Sequence, residues 1–203
     1  MSYEYEWPQA SPCSNIILYT SNGDRLSLMV TFRDESVGAG KSLSAGGFDE
    51  VADALSQPAG TMIDGRAETY REMYEELGEE LKTILPYESF LARVQYLWDG
   101  MVPNANSPLV EKVVMRTLEL SPNEMRAIMA LPRTEEQAGK MLVDFNLNAD
   151  PAKATDTSQI DAALTGFRYP HEVEAARMWF TAQEQKAKDS LARATGPAFL
   201  RLT

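Results

Sequence analysis

Two runs of β-branched and aromatic residues near the start of the chain predict a β-hairpin. Residues 15–19 (NIILY) and 26–32 (LSLMVTF) are rich in residue types that favour strands. The segment 21–24 (SNGD) separates them, and Asn-Gly between two such runs is a strong hairpin signal. Segments 90–98 and 110–120 have a similar composition, so two more strands are expected there.

A helix is predicted between Asp64, which can cap its first turn, and Gly78, which is suited to end it in a left-handed conformation. Its apolar members recur at helical spacing and define a buried stripe. The stripe consists of Ala67, Tyr70, Met73, Tyr74 and Leu77. On the other side Glu72, Glu75 and Glu76 stand at i, i+3 and i+4, so we expect their carboxylates to converge.

The other segments complete an alternating pattern of strands and helices. A serine cap, a proline in the first turn and a glutamate three residues after the cap predict a helix that starts at Ser121. Further helices are expected at 51–56, 134–142 and 170–194, and the polar segment 146–158 is expected to be a loop. Gly40-Lys41-Ser42 ends like a phosphate-binding loop, but Glu35 stands where the opening glycine belongs, so a flexible loop is predicted.

This alternation predicts an α/β or α+β domain with a helical C-terminal extension. We expect the domain to comprise residues 1–145, with 146–203 forming a loop and helices packed on the same domain. The stripe Val173, Ala176 and Phe180 is expected either to dock on the domain or to pair subunits, so a homodimer is possible.

Charge and composition limit the classes of partner that this protein is expected to bind. The formal net charge is −11, and the 19 Lys and Arg residues form no basic cluster, so we expect no nucleic-acid duplex as a partner. No apolar run reaches the length of a membrane span, and the first residues lack the pattern of a secretory signal. The single cysteine, Cys13, has no partner for a disulfide or a zinc site. A cytoplasmic protein without a membrane partner is predicted.

The acidic end of the helix that precedes Gly78 is electrostatically unfavourable. The residues four beyond Glu72, Glu75 and Glu76 are again glutamates, and each such pair costs roughly 0.2–0.5 kcal/mol. The negative end of the helix dipole costs about 0.3–1 kcal/mol more for each exposed anion. A bound Mg²⁺ or Mn²⁺ would relieve both costs, because these ions favour oxygen ligands. These residues are compatible with two interpretations, a solvated acidic face or a metal site.

The order of the residues favours the metal site. Segment 71–78 (REMYEELG) resembles the helical half of the Nudix signature, R-E-U-x-E-E-x-G-U, in which U is a bulky apolar residue. Upstream, segment 46–50 (GGFDE) resembles the glycine-rich loop that opens this signature. Arg33 closes the second predicted strand, where proteins of this family often carry arginine. The resemblance covers roughly residues 15–120.

The loop half of the signature departs from the family pattern. Between Gly47 and Arg71 the chain is about ten residues longer than the signature allows. Ile63 stands where the signature has a glutamate, and Glu79 occupies the final apolar position.

The Nudix resemblance implies an α/β/α sandwich with a mixed sheet and metal-dependent hydrolysis of a diphosphate linkage in a nucleoside diphosphate derivative. It implies that Glu72, Glu75, Glu76 and the carbonyl of Gly47 hold Mg²⁺ or Mn²⁺. Arg71 is expected to pair with Glu75, at the i+4 position, and to orient it.

The general base and the substrate contacts stay open at this point. Three carboxylates are candidates for the base, namely Glu50, Glu68 and Glu111, and Glu68 lies one turn before Glu72 on the same flank. Candidates for substrate contact are Arg33 and the aromatic residues Phe48, Tyr96 and Trp98.

Two other functions remain as alternatives. Ile63 and the longer loop favour a catalytically weakened Nudix-like module that binds a nucleotide as a regulator. A helical interaction protein, whose acidic face meets a basic partner, would contain little β-sheet.

Overall fold

The computed structural model describes residues 11–33, 40–43, 45–48, 65–103, 110–135, 137–167 and 169–195. Its strands are β1 (Ser11–Asn22), β2 (Arg25–Arg33), β3 (Gly40–Leu43), β4 (Ala45–Phe48), β5 (Gln95–Pro103), β6 (Val110–Glu119) and β7 (Gln137–Asn146). Its helices are α1 (Arg66–Leu77), α2 (Leu81–Ile84), α3 (Tyr87–Arg93), α4 (Pro122–Met129), α5 (Ser158–Ala163) and α6 (Pro170–Thr195).

The strands form one mixed sheet with the order β3-β2-β1-β6-β5, to which β4 is added beside β1 and β7 beside β2. The predicted hairpin is confirmed: β1 and β2 pair antiparallel next to their turn, where Gly23 has a φ of 67°. Farther from the turn β1 pairs with β4 and β2 pairs with β3, so these two short strands fill the gap where β1 and β2 separate. The other edge of β1 pairs with β6 in parallel.

Both faces of the sheet are covered by helices. Along β1, Ile17 and Tyr19 belong to a hydrophobic cluster with α5 and α6, the α6-side cluster. The alternate residues Ile16 and Leu18 belong to a second cluster with α1, α2, α3 and α4, the α1-side cluster. This alternation follows from the two-residue period of a strand. The predicted α/β/α sandwich with a mixed sheet is therefore confirmed, and the sheet argues against a purely helical interaction protein.

The C-terminal helix α6 forms one outer layer of the sandwich. Trp179 and Phe180 are fully buried, and the Trp179 ring lies 5.1 Å from that of Tyr19 on β1. Ala176 and Val173, from the predicted stripe, also pack in or against the α6-side cluster. Of the two alternatives for this stripe, docking on the domain is the one that the structure shows.

Three local predictions were wrong. Residues 137–146, predicted to be helical in part, form β7, because pairing with β2 along nearly its whole length outweighs their helix propensity. Residues 90–93 belong to helix α3, and the strand predicted at 90–98 begins only at Gln95. Residues 40–42, predicted to be a flexible loop, form β3 together with Leu43.

Other predictions fall outside the described residues: the helix at 51–56, the Asp64 cap, and the positions of Ile63 and Glu50. Within the described residues, no helix is both long and apolar enough to cross a membrane.

Candidate functional site

Helix α1 carries the acidic residues and is fixed at both ends by glycines with positive φ. Gly65 precedes it with a φ of 69°, and Gly78 follows it with a φ of 112°, so glycine is required where the sequence placed the end of this helix. Tyr70, Met73 and Leu77 anchor it in the α1-side cluster, as predicted. Ala67 and Tyr74 are only partly buried.

Arg71 holds two of the glutamates at once. Its Nη1 lies 2.6 Å from Glu75 Oε2, and its Nη2 lies 2.7 Å from Glu72 Oε1. The predicted i+4 pair of Arg71 and Glu75 is therefore present. The Glu75 side chain is 47% exposed, whereas those of Arg71 and Glu72 are mostly buried, so the fork places Glu75 at the solvent boundary.

Glu76 points to a different partner and is more buried than the sequence predicted. Its side chain is 8% exposed, and its Oε1 lies 3.3 Å from Nη2 of Arg33 at the end of β2. Arg33 and Glu76 are 43 positions apart, so local spacing gave no signal for this ion pair. The backbone carbonyl of Glu76 accepts a hydrogen bond from the Thr134 hydroxyl at 2.9 Å.

The donor chemistry of these residues fits a hard divalent cation, because three carboxylates face only two guanidinium groups. In the structure all three carboxylates are paired with arginines, Glu72 and Glu75 with Arg71 and Glu76 with Arg33. Among the described residues, no three Asp, Glu, His or Cys side chains are gathered closely enough to hold a metal ion. Metal binding would therefore require the arginines to share or release carboxylate oxygens.

The glycine-bearing strand β4 lies against α1. Gly46 pairs with Asn15 on β1, and a Cβ atom added at Gly46 would lie 1.5 Å from the Asn15 Oδ1 atom. Only glycine allows this close approach. Gly47 stands opposite Ser14, so its backbone is placed next to the start of β1. The structure describes the backbone of Phe48 but not its side chain.

Glu68, one of the three candidates for the general base, is fully buried. Beside it, Arg116 on β6 is 5% exposed and donates from Nη1 to the Thr69 hydroxyl at 3.0 Å. Thr69 in turn donates to the carbonyl of Gly65 at 2.7 Å. A cavity of about 280 Å³ opens here, lined by Arg66, Val94, Gln95, Tyr96 and Arg116. The beginning of α1 is therefore held by buried polar contacts and adjoins an open space.

The structure does not gather all of the predicted substrate contacts. Trp98 packs against the α6-side cluster, on the face of the sheet opposite to α1. Tyr96 is 63% exposed and its hydroxyl donates to Asp99. Glu111 lies on β6, and its side chain is outside the description. Arg33 is the predicted contact that does lie next to a glutamate of α1.

Nothing in the sequence indicated one further buried acidic residue, whose carboxyl group is affected by the charge of Arg33. Glu172, in the first turn of α6, is 2% exposed and accepts a hydrogen bond from the Ser42 hydroxyl at 2.6 Å. Burial raises the pKa of its carboxyl group to about 8, against the opposing effects of Ser42, the Leu43 amide and the charge of Arg33. The only local signal, an acid near a helix start, is common on exposed helices and does not indicate burial.

Comparison with known proteins identifies the fold. No protein-family model and no curated protein sequence matches the chain. Among solved structures, a NUDIX hydrolase from Alicyclobacillus acidocaldarius is 11% identical with a TM-score of 0.55, and the match covers 92% of this chain and 96% of that one. A MutT/nudix family protein from Enterococcus faecalis is 12% identical with a TM-score of 0.54, covering 100% and 80%. The C. elegans Ap4A hydrolase in a binary complex is 9% identical with a TM-score of 0.50, covering 87% and 99%. The α/β/α sandwich built around the acidic helix α1 is therefore the Nudix fold.

Proposed function

We propose that this protein is a Nudix-type pyrophosphohydrolase, which uses Mg²⁺ or Mn²⁺ to cleave a diphosphate linkage in a nucleoside diphosphate derivative. The observation that carries the proposal is the set of three carboxylates on one turn of α1, held by Arg71 and Arg33. The fold supports it, because the similar structures include proteins named as Nudix hydrolases and an Ap4A hydrolase.

In this proposal the residues of α1 bind the metal ion and keep its ligands in place. Glu72, Glu75 and Glu76 provide carboxylate oxygens, and the Gly47 carbonyl is a further ligand from β4. When bound, the ion would supply charge neutralisation at the phosphates and would lower the pKa of the attacking water. Arg71 orients Glu72 and Glu75, since its two Nη atoms each contact one of them.

The remaining roles concern the substrate and the attacking water. Arg33 is proposed to attract the substrate phosphates as well as to hold Glu76. Glu68 is proposed as the general base, because it lies one turn before Glu72 on the same helix. Phe48 and Trp98 are proposed as aromatic contacts, and the location of Trp98 on the opposite face of the sheet makes it the weaker of the two.

We further propose a cytoplasmic location and a small-molecule substrate, with neither a nucleic-acid duplex nor a membrane as partner. The acidic net charge supports the absence of a nucleic-acid partner, because it repels polyanions unless a cation intervenes. A homodimer is a further prediction, and light scattering of the purified protein tests it.

The test is a hydrolysis assay with a panel of nucleoside diphosphate derivatives, in Mg²⁺, in Mn²⁺ and with a chelator. Glu75→Gln and Glu76→Gln are expected to lower metal-dependent turnover by more than the roughly 10–100-fold that loss of a supporting partner costs. Glu79→Gln is the matched control, because Glu79 is exposed and pairs with Lys82 outside the proposed site. Thermal unfolding verifies that each variant folds.

Each result of this assay has a distinct meaning. Cleavage that needs metal and fails in the two variants but not in the control supports the hydrolase. Absence of turnover, with metal and nucleotide still bound by the wild type, favours the weakened binding module to which Ile63 points. Absence of metal binding overturns the site itself.

A further inference from the structure

A β-bulge at the start of β7 turns one buried side chain towards the proposed metal site. Strand β7 pairs with β2 in regular antiparallel register as far as Gly139, which stands opposite Phe32. The register then skips Ala138 and places Gln137 opposite Arg33. Strict alternation would put Ala138 beside Arg33 and Gln137 on the other face of the sheet. Bulges re-aim side chains in this way and are frequent next to active sites.

Gln137 therefore shares the face of the sheet on which α1 lies. Arg33 extends from this face to α1, where its Nη2 atom lies 3.3 Å from Glu76 Oε1. Residues directly opposite each other on antiparallel strands have Cβ atoms roughly 5 Å apart. The Gln137 amide can therefore reach the Arg33 guanidinium group by rotation of its side chain.

The amide of Gln137 is buried and unpaired. The residue is 3% exposed, and among the described residues neither its Oε1 nor its Nε2 atom has a hydrogen-bond partner. Unpaired amide groups in the interior destabilise a fold, so native proteins contain few of them and each calls for an explanation. Burial also limits the explanation. A substrate in solution cannot reach these two atoms without a rearrangement, whereas Arg33 stands beside them.

Metal binding would create a need for such an amide. Arg33 holds Glu76, so a cation that takes the Glu76 carboxylate removes this partner from a guanidinium group whose side chain is mostly buried. A buried charge that loses its partner is strongly destabilising. The Gln137 oxygen is an acceptor at a place to which Arg33 can turn, so the charge would stay hydrogen-bonded.

We propose that Gln137 is a positioning residue for the metal site: its Oε1 atom accepts a hydrogen bond from Arg33 when Glu76 turns to a divalent cation. The proposal rests on the function proposed above, because it concerns the same carboxylate. One side chain then has two effects of opposite sign. Gln137 destabilises the metal-free protein, in which its amide is unpaired, and it strengthens metal binding.

The first test compares stability in the presence of a chelator. Gln137→Met replaces the amide by an apolar side chain of similar size, so it removes the unpaired groups without leaving a cavity. We expect the urea midpoint of this variant to be higher than that of the wild type. Gln185→Met is the matched control, because Gln185 is exposed on α6 and donates to Asp189, and its midpoint should stay close to the wild-type value.

The second test measures Mg²⁺ affinity by calorimetry, without substrate. We expect Gln137→Met to weaken binding roughly tenfold or more, the effect of losing one hydrogen bond to a charged group. Gln185→Met should bind Mg²⁺ as the wild type does. By linkage, added Mg²⁺ should raise the urea midpoint of Gln137→Met less than that of the wild type.

A double-mutant cycle shows whether Gln137 acts through Arg33. Arg33→Met removes the guanidinium group, so adding Gln137→Met to it should change Mg²⁺ affinity little. An equal loss of affinity in both backgrounds would mean that Gln137 acts independently of Arg33, which would overturn the proposal. The comparison of stability in chelator does not depend on the folding of Arg33→Met.

The outcomes distinguish this inference from the proposed function. If Mg²⁺ binds equally tightly to Gln137→Met and to the wild type, Gln137 has no positioning role and the hydrolase proposal stands. If Gln137→Met is less stable than the wild type in chelator, a bound water or another group already pairs the amide in the metal-free protein, and the inference fails. If the wild type does not bind Mg²⁺, the metal site fails and the inference fails with it.

Discussion

At the scale of single residues, burial of the Glu172 carboxyl group raises its pKa. Its folded-state pKa is about 8 and the ordinary value is 4.5, so between these two pH values the folded state binds more protons than the unfolded state. The free energy of unfolding should therefore decrease as the pH rises through this window, by at most about 1.4 kcal/mol per pH unit.

Glu172→Gln is expected to remove this decrease and to be more stable than the wild type at alkaline pH. Urea unfolding at about pH 5, 7 and 9 measures the effect. Glu174→Gln should retain the slope of the wild type, because that side chain is 64% exposed. Parallel slopes for the wild type and Glu172→Gln would show that Glu172 is already ionised near neutral pH.

The sequence predicts contacts between single residues only where the chain itself brings them together. The pair of Arg71 and Glu75 was predicted because helical spacing alone places them in contact. The contacts of Glu76 with Arg33 and of Glu172 with Ser42 depend on how the layers pack. No local pattern contains that information, so the burial of these two acids could not be predicted.

At the scale of elements, a residue of the capping box of α4 also makes a tertiary contact. The capping box that the sequence predicts is present: the Ser121 hydroxyl accepts from the Glu124 amide at 3.2 Å, and Glu124 accepts from the Ser121 amide at 2.7 Å. Arg93 of α3 also binds both oxygens of Glu124, at 2.7 and 3.0 Å. The Arg93 hydrogen bonds are the largest of the effects that lower the pKa of Glu124 to about 2.

Replacing Glu124 by Gln is expected to lower the free energy of unfolding by about 1–2 kcal/mol at neutral pH. Because the folded pKa lies below the ordinary 4.5, the stabilisation is complete above that value and is lost as the pH falls towards 2. Denaturant unfolding at about pH 7 and 3 should therefore show a difference from the wild type that shrinks in acid. Glu88→Gln, at an exposed position of α3, is the control, and an equal loss there would exclude a specific role of Glu124.

The wrong helix prediction at 134–142 has the same cause as the residue contacts that were not predicted, namely packing between distant parts of the chain. Segment 134–142 contains Glu, Gln, Lys, Met and Leu, which favour helix, so local propensity pointed away from β7. The partner of this strand is β2, more than 100 positions earlier in the chain. By contrast, the hairpin of β1 and β2 carries its own turn signal, which is why it was predicted correctly.

At the scale of the whole molecule, α6 forms the outer layer of one face of the sheet. Trp179→Ala is expected to lower the free energy of unfolding by about 3–5 kcal/mol, because it leaves a cavity where Trp179 packs on Tyr19 and Phe145. Met178→Ala is the matched control, since Met178 is the adjacent residue and is 37% exposed. Denaturant unfolding compares the two, and similar small losses would mean that α6 contributes little to the core.

This arrangement bears on the predicted division at residue 145. From the sequence, the segment 146–203 was predicted to be a loop and a helical extension packed on the same domain. In the structure its helices α5 and α6 share the α6-side cluster with β1, β2, β6 and β7. The stripe Val173, Ala176 and Phe180 indicated in the sequence that α6 could dock on the domain, but it did not indicate which strands α6 covers.

The parallel pairing of β1 with β6 has a consequence for synthesis on the ribosome. The pairs run from Ser11 with Glu111 to Tyr19 with Glu119, a constant separation of 100 positions. About a hundred further residues must therefore be added to the nascent chain after β1 before β6 is available to pair with it. Residues are added at roughly 5–20 per second. During those seconds the unpaired edge of β1 can pair with wrong partners. We therefore expect this protein to fold slowly and to need chaperones during translation.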